Sequence, residues 1–95
     1  MATEYQVLVR KSAKKAIAKL PPRSREAVLE VLQRLRHDPT PGPPHHKPLV
    51  GQLAGYERWT LGQYRIIYRV DRESSTVTVG LVGDRNQMYR RELEF

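Results

Sequence analysis

The chain has 95 residues and no cysteine, which excludes disulfides, zinc fingers and thiol chemistry. Seventeen Lys and Arg against ten Asp and Glu give a formal net charge of +7, and so basic a domain favours an anionic partner, nucleic acid first. There is no apolar stretch near the ~18 residues that a membrane span needs, and no signal-peptide pattern at the start. We therefore expect one cytoplasmic domain over residues 1–95, without membrane contact.

The first half predicts one short strand and two helices. Tyr5–Val9 is a short β-rich run. A helical stripe follows and ends at Pro21-Pro22, and a second helix runs to about Arg36. So short a break between two helices favours an antiparallel hairpin. The predicted buried stripes consist of Ala13, Ala16, Ile17 and Leu20 in the first helix and Val28, Val31, Leu32 and Leu35 in the second.

Residues 38–55 predict a connector inside the domain. They hold five of the seven prolines and three of the six glycines. Because proline removes backbone donors and fixes φ, we expect this segment to be extended and fairly stiff, with no regular element.

The second half predicts three strands, at Glu57–Leu61, Tyr64–Val70 and Thr76–Val82, which are rich in aromatic and β-branched residues. Gly62 at the first central position of a two-residue loop indicates a type II′ turn. That turn sets the register and pairs Leu61 with Tyr64.

Side-chain alternation along these strands separates two faces. One face is apolar and suited to packing under the helices: Trp59, Leu61, Tyr64, Ile66, Tyr68 and Val70. The other face is polar: Arg58, Thr60, Arg65, Ile67 and Arg69. The predicted fold is α+β in the order β-α-α-β-β-β, an antiparallel-rich four-stranded sheet with a two-helix hairpin packed on one face.

Arginines on the polar face form the main candidate site. Arg58, Arg65 and Arg69 share this face, and Arg85 and Tyr89 follow the last strand. Cationic donors stabilise the charge that grows on a phosphate during cleavage, and an aromatic ring can stack on a base. An ordinary solvated sheet face also carries Arg and Thr, so both interpretations stay open on the residues alone.

Histidines in the connector give little support for a metal site. His45 and His46 are adjacent and lack the spacing of metal ligands, so we expect no metal and no cofactor. A surface loop is the simpler interpretation. A role of His46 as general base stays open, because an unperturbed imidazole titrates near neutral pH.

The order of motifs resembles the RelE/ParE toxin superfamily of type II toxin–antitoxin systems, RelE-like branch. The segment 47–68, KPLVGQLAGYERWTLGQYRIIY, is similar to the central signature of that superfamily. Val82-Gly83-Asp84-Arg85 with Tyr89-Arg90 is similar to its C-terminal signature. The resemblance implies a RelE-like microbial RNase fold and a ribosome-dependent mRNA endoribonuclease, in which the RNA 2′-hydroxyl attacks the scissile phosphate without a metal.

The resemblance also implies residue roles. Arg65 matches the arginine at the scissile phosphate, Arg85 the arginine that stabilises the transition state or leaving oxygen, and Tyr89 the tyrosine that orients or activates the nucleophile or stacks on mRNA. Further RNA or phosphate contacts are expected from Arg58, Thr60, Arg69 and Arg90.

Two positions depart from the RelE pattern. Thr60 stands where many relatives have a second basic residue, and Asp84 stands where many have histidine. Loss of that histidine removes an easy general base, which leaves Asp84 or His46 as the candidate base. Three outcomes stay open: slow cleavage, cleavage with a different base, or no cleavage.

Two alternatives to the enzyme follow. A ParE-like toxin inhibits DNA gyrase by binding, and a decayed toxin is a non-catalytic RNA- or ribosome-binding module. In each interpretation as a toxin, we expect a cognate antitoxin, RelB-like and acidic, that wraps the domain. For the RelE-like interpretation, the other expected partners are the ribosome and mRNA.

Overall fold

The computed structural model describes residues 4–39, 46–48 and 55–84, of which 46–48 are described by their backbone. These residues form two helices and one five-stranded sheet. In chain order, the elements are β1 (Gln6–Val9), α1 (Lys11–Ala18), α2 (Pro22–His37), β2 (His46–Pro48), β3 (Tyr56–Leu61), β4 (Tyr64–Asp71) and β5 (Thr76–Asp84).

The sheet has the strand order β1-β5-β4-β3-β2. β1 pairs with β5 in parallel, and all the other pairs are antiparallel. The parallel pair needs a crossover between its strands, because parallel strands cannot be joined by a tight turn. In this chain α1 and α2 lie between β1 and the rest of the sheet in sequence, and both pack on the same face. The predicted α+β class is confirmed.

Both helices contribute buried stripes to one core. α2 begins at Pro22, where proline lacks only an N–H that would have no helical partner. α1 ends at Ala18, two residues before the end of its predicted stripe, yet Leu20 is still buried. The buried core consists of Ala13, Ile17, Leu20, Val28, Val31, Leu32, Leu35, Ile66, Tyr68, Val77, Val79 and Val82.

The β3–β4 hairpin has the register that its turn predicts. Leu61 pairs with Tyr64, Thr60 with Arg65, and so on along the two strands to the pair of Tyr56 and Arg69. Gly62 has a φ of +60°, whereas Gln63 is outside the positive-φ region. This combination is that of a type II′ turn, so the predicted turn and register are confirmed.

A β-bulge separates two halves of β5. Ile67 pairs with Leu81, but Tyr68 pairs with Val79, which leaves Gly80 as the extra residue. Val79 and Val82 are three positions apart and would point to opposite faces of a regular strand. Because of the bulge, both lie in the core under the helices.

The connector contains a strand that we did not expect. β2 occupies His46–Pro48 and pairs with β3, so the prediction of no regular element in 38–55 is wrong at these three residues. The sheet has five strands rather than the predicted four. β2 lies at the sheet edge, where proline is tolerated because its missing N–H can face away from the ladder.

Candidate functional site

The candidate site is the sheet face that neither helix covers, which we call the open face. Three rows of paired residues cross it on β3, β4 and β5. In order from the hairpin turn, they are the turn row (Thr60, Arg65 and Gly83), the middle row (Arg58, Ile67 and Leu81) and the far row (Tyr56, Arg69 and Thr78). Each row therefore contains one of the three predicted strand arginines.

In the turn row, Arg65 is held by the backbone of the hairpin turn. Its Nη1 donates to the carbonyl oxygens of Gly62 and Tyr64, both at 3.0 Å. Arg65 and its partner Thr60 are half-buried. The turn that fixes the register thus also restricts the position of the arginine that matches the scissile-phosphate contact.

In the middle row, Arg58 lies beside apolar side chains. Its partner Ile67 has no exposed surface and forms a small cluster with Leu81, against which Tyr56 packs. Arg58 itself is half-buried. The open face is therefore not uniformly polar, because an apolar centre separates the arginines of its two ends.

In the far row, Arg69 and Tyr56 form a cation–π pair. The Arg69 Cζ atom is 5.7 Å from the centre of the Tyr56 ring. Arg69 is exposed and Tyr56 is half-buried. Our sequence interpretation omitted Tyr56 because it began the strand at Glu57; alternation from Arg58 by two positions would have placed Tyr56 on this face.

Asp84 lies on the other side of the sheet from Arg65. It pairs with Tyr64, a residue of the helix-covered face, whereas Arg65 pairs with Gly83. Asp84 lines a cavity of about 400 Å³ with Lys15 and Lys19. This position does not favour Asp84 as the base for a reaction at Arg65.

The remaining predicted residues are outside the described part of the chain. Arg85, Tyr89 and Arg90 follow the last described residue. His46 belongs to β2 by its backbone, and its register partner is Trp59. The proposed roles of all four side chains stay predictions.

Burial removes one tyrosine from consideration as an acid or base. Tyr68 has no exposed surface and pairs with Glu57 across β3 and β4. Burial first, and then the adjacent Glu57 carboxylate, raise the pKa of Tyr68 well above its usual value of 10.0. Its hydroxyl therefore stays protonated at neutral pH, beneath the helices and away from the open face.

At the far end of β4, Asp71 belongs to the turn that precedes β5. Its Oδ1 accepts from the backbone N–H of Glu73 at 3.0 Å and of Ser74 at 3.3 Å. The hydrogen bonds from Ser74, with smaller contributions from Glu73 and the charge of Arg69, lower the pKa of Asp71. Asp71 is therefore ionised at neutral pH, and the charge of Arg69 makes the smallest of these contributions.

The described ranges contain neither a metal-binding cluster nor a membrane-spanning helix. Within residues 4–39, 46–48 and 55–84, no group of three or more His, Cys, Asp or Glu residues could hold a metal ion. In the same ranges, neither helix has the length and hydropathy to cross a membrane.

Comparisons of sequence identify the family of this chain. The family model for the ParE toxin of the type II toxin–antitoxin system parDE matches residues 5–89. Toxin RelG of Mycobacterium tuberculosis is 38% identical over 88 residues, which cover 92% of this chain and 98% of that toxin. The chain belongs to the RelE/ParE superfamily of type II toxin–antitoxin toxins.

Solved structures share the fold. The toxin–antitoxin complex RelBE2 of M. tuberculosis matches with a TM-score of 0.74 and 36% identity, and covers 86% of this chain and 99% of its own. The RelE–RelB complex of Pyrococcus horikoshii matches with a TM-score of 0.76 and 27% identity, covering 92% and 99%. The isolated Escherichia coli RelE toxin, at 24% identity, matches in fold with a TM-score of 0.72 over 95% of this chain and 96% of its own.

Proposed function

We propose that this toxin is a ribosome-dependent mRNA endoribonuclease. The observation that carries the proposal is the register of the open face, which sets Arg58, Arg65 and Arg69 on one side of two paired strands. The resemblance to RelE-type toxins assigns the scissile phosphate to Arg65. Guanidinium groups suit this task because they stay charged and donate several hydrogen bonds to phosphate oxygens.

The proposed reaction uses the RNA as its own nucleophile. The 2′-oxygen forms a bond to phosphorus, its proton leaves, and the bond from phosphorus to the 5′-oxygen breaks. The 5′-oxygen then takes up a proton, which yields a 2′,3′-cyclic phosphate and a 5′-hydroxyl. Arg65 and Arg85 stabilise the charge on the phosphate and the leaving oxygen, and Tyr89 orients or activates the 2′-hydroxyl.

Primer extension on an mRNA translated in a purified system tests this proposal. We expect cuts inside codons when the wild-type toxin is added, no cuts when ribosomes are omitted, and loss of the cuts with Arg65→Ala. Arg72→Ala is the matched control, because Arg72 is exposed in the β4–β5 turn and lies outside the three rows. An intact message with active ribosomes contradicts the proposal.

Inhibition of DNA gyrase is the second candidate, and the match to the ParE family model favours it. In this case the toxin acts by binding rather than by cleavage. A supercoiling assay with purified gyrase distinguishes the two, since the RNase leaves supercoiling unchanged. Supercoiling blocked by the toxin, together with an uncut message, selects this alternative.

We also propose an acidic antitoxin as the partner of this chain. The solved relatives include RelB–RelE complexes, and the net charge of +7 suits a partner of opposite charge. The free toxin should then bind anionic partners in a strongly salt-dependent way. Equal affinity for ribosomes at low and high salt contradicts this expectation.

A further inference from the structure

The far row of the open face differs from the turn row in its charge. Asp71 is two residues beyond Arg69 on β4 and therefore faces the same side. It is ionised, and its charge interacts with that of Arg69. The negative charge of Asp71 makes a phosphate contact less favourable at Arg69 than at Arg65. An uncharged nucleobase is not repelled by Asp71 and can lie beside Arg69.

The two arginines are also held at different places on the open face. Arg65 and Arg69 are four residues apart on one strand, which separates their Cα atoms by about 13 Å. Their guanidinium groups also have different partners, the carbonyl oxygens of Gly62 and Tyr64 for Arg65 and the Tyr56 ring for Arg69. The apolar centre formed by Ile67 and Leu81 lies between their rows. A single strand that crosses the open face therefore meets Arg69 at a different nucleotide from the one at Arg65.

Tyr56 restrains the Arg69 side chain through its ring. The tyrosine packs against the Ile67 and Leu81 cluster and carries the guanidinium 5.7 Å from its ring centre. Arg69 itself remains exposed. Guanidinium planes and aromatic rings are the surfaces on which proteins stack the unpaired bases of RNA.

We propose that Arg69, positioned by Tyr56, is a base-stacking subsite for single-stranded RNA, distinct from the phosphate site at Arg65. The inference rests on the proposed function for its ligand class. Arg69 contacts the base through its guanidinium group, and Tyr56 is a positioning residue that acts through Arg69. The subsite favours an RNA with its bases over an abasic strand, and it does not take part in bond cleavage.

Direct binding with two fluorescein-labelled probes tests the subsite. One probe is a single-stranded RNA, and the other is an abasic oligonucleotide of the same length and charge. We expect the wild-type toxin to bind the RNA at least about fivefold more tightly, because stacking strengthens binding of each base. Equal affinity for the two probes overturns the proposal.

Substitutions separate stacking from charge. Arg69→Lys keeps the charge and loses the planar group, so it should lose most of the preference for RNA while its salt dependence stays unchanged. Arg69→Ala should lose the preference and also lower the salt dependence by about one phosphate contact or less. Full preference retained in Arg69→Lys overturns the stacking role.

Variants of Tyr56 test positioning. Tyr56→Phe keeps the ring and should retain the preference for RNA, whereas Tyr56→Leu keeps apolar bulk and should reduce it. Thermal unfolding of both variants confirms that they fold, and Arg72→Ala is the control for a charge lost elsewhere. The same reduction in Tyr56→Phe and Tyr56→Leu contradicts the assignment of Tyr56.

The binding assay uses neither ribosomes nor cleavage, so it can fail independently of the proposed function. A toxin that cuts mRNA but binds both probes equally retains the RNase function and lacks the subsite. A toxin that prefers RNA but leaves mRNA intact retains the subsite and lacks the RNase function. In cleavage assays, Arg69→Lys should raise KM for the message with kcat unchanged, whereas Arg65→Ala should lower kcat.

Discussion

β3 carries one arginine–aromatic pair on each of its faces. On the helix-covered face, Arg34 of α2 lies with its Cζ atom 6.0 Å from the centre of the Trp59 ring. On the open face, Arg69 lies 5.7 Å from Tyr56. The distances are similar, but Trp59 packs against the main core and Tyr56 against the two-residue cluster of Ile67 and Leu81.

Under the proposed function, one face of this hairpin serves stability and the other serves RNA cleavage. On the helix-covered face, Arg34 joins α2 to β3 and extends the packing of the core. On the open face, the arginines of three rows lie around a small apolar centre, and no described helix covers them. We therefore expect substitutions on the first face to change the free energy of unfolding, and those on the second to change RNA chemistry.

The largest effect on stability is expected at Leu35, which is 1% exposed in α2. Leu35→Ala should lower the free energy of unfolding by about 2–5 kcal/mol, because it removes buried methyl groups and leaves a cavity. Leu29→Ala in the same helix is the matched control, since Leu29 is 47% exposed. Urea unfolding measures both; equal losses would contradict the assignment of the core.

Arg65→Ala should have the largest effect on activity with a small effect on stability. Loss of one donor to a developing phosphate charge should lower the cleavage rate by about 10²–10³-fold. The two hydrogen bonds to the turn are partly exposed, so the loss of unfolding free energy should stay near 1 kcal/mol. A cleavage rate within twofold of the wild type would remove Arg65 from the site.

Turn chemistry and alternation predicted the two faces of the hairpin, but not the Arg34–Trp59 and Arg69–Tyr56 pairs. Gly62 fixed the register of β3 and β4, and the register then determined which side each arginine occupies. This prediction was reliable because a two-residue turn with glycine at its first central position allows few backbone conformations. The fold class followed from the same local patterns.

Other features depend on contacts that local patterns do not encode. The bulge at Gly80 places Val79 and Val82 in one core, whereas simple alternation separates them. β2 forms only because β3 offers it a sheet edge, and its three residues include Pro48, which normally opposes strand structure. Asp84 was a candidate base because it stands where many RelE relatives have histidine, but its strand directs it to the helix-covered face.

Tyr68→Phe tests the helix-covered face through the pH dependence of the free energy of unfolding. The pKa of Tyr68 is raised on folding, so its stabilising effect is fully present below its unfolded pKa of 10.0 and is lost as pH rises above that value. Tyr68→Phe should cost about 1 kcal/mol at pH 7, through the lost interaction with Glu57, and should flatten the fall in stability above pH 10. Urea unfolding from pH 7 to 11 tests this. An unchanged alkaline slope contradicts the role of Tyr68.

Ser75→Gly should have the smallest effect on the free energy of unfolding, and it should raise that free energy rather than lower it. Ser75 has a φ of +52°, in the left-handed region that residues other than glycine rarely adopt. Its carbonyl oxygen accepts from the Gln6 N–H at 2.9 Å, a backbone contact that glycine retains. Ser75→Gly should therefore raise the free energy of unfolding by a few tenths to about 1 kcal/mol, whereas Ser75→Val should lower it. This turn is remote from the hairpin turn at Gly62, so neither variant should change the rate of mRNA cleavage. A cleavage rate that changes with the free energy of unfolding would contradict this and show that the two ends of the sheet are coupled.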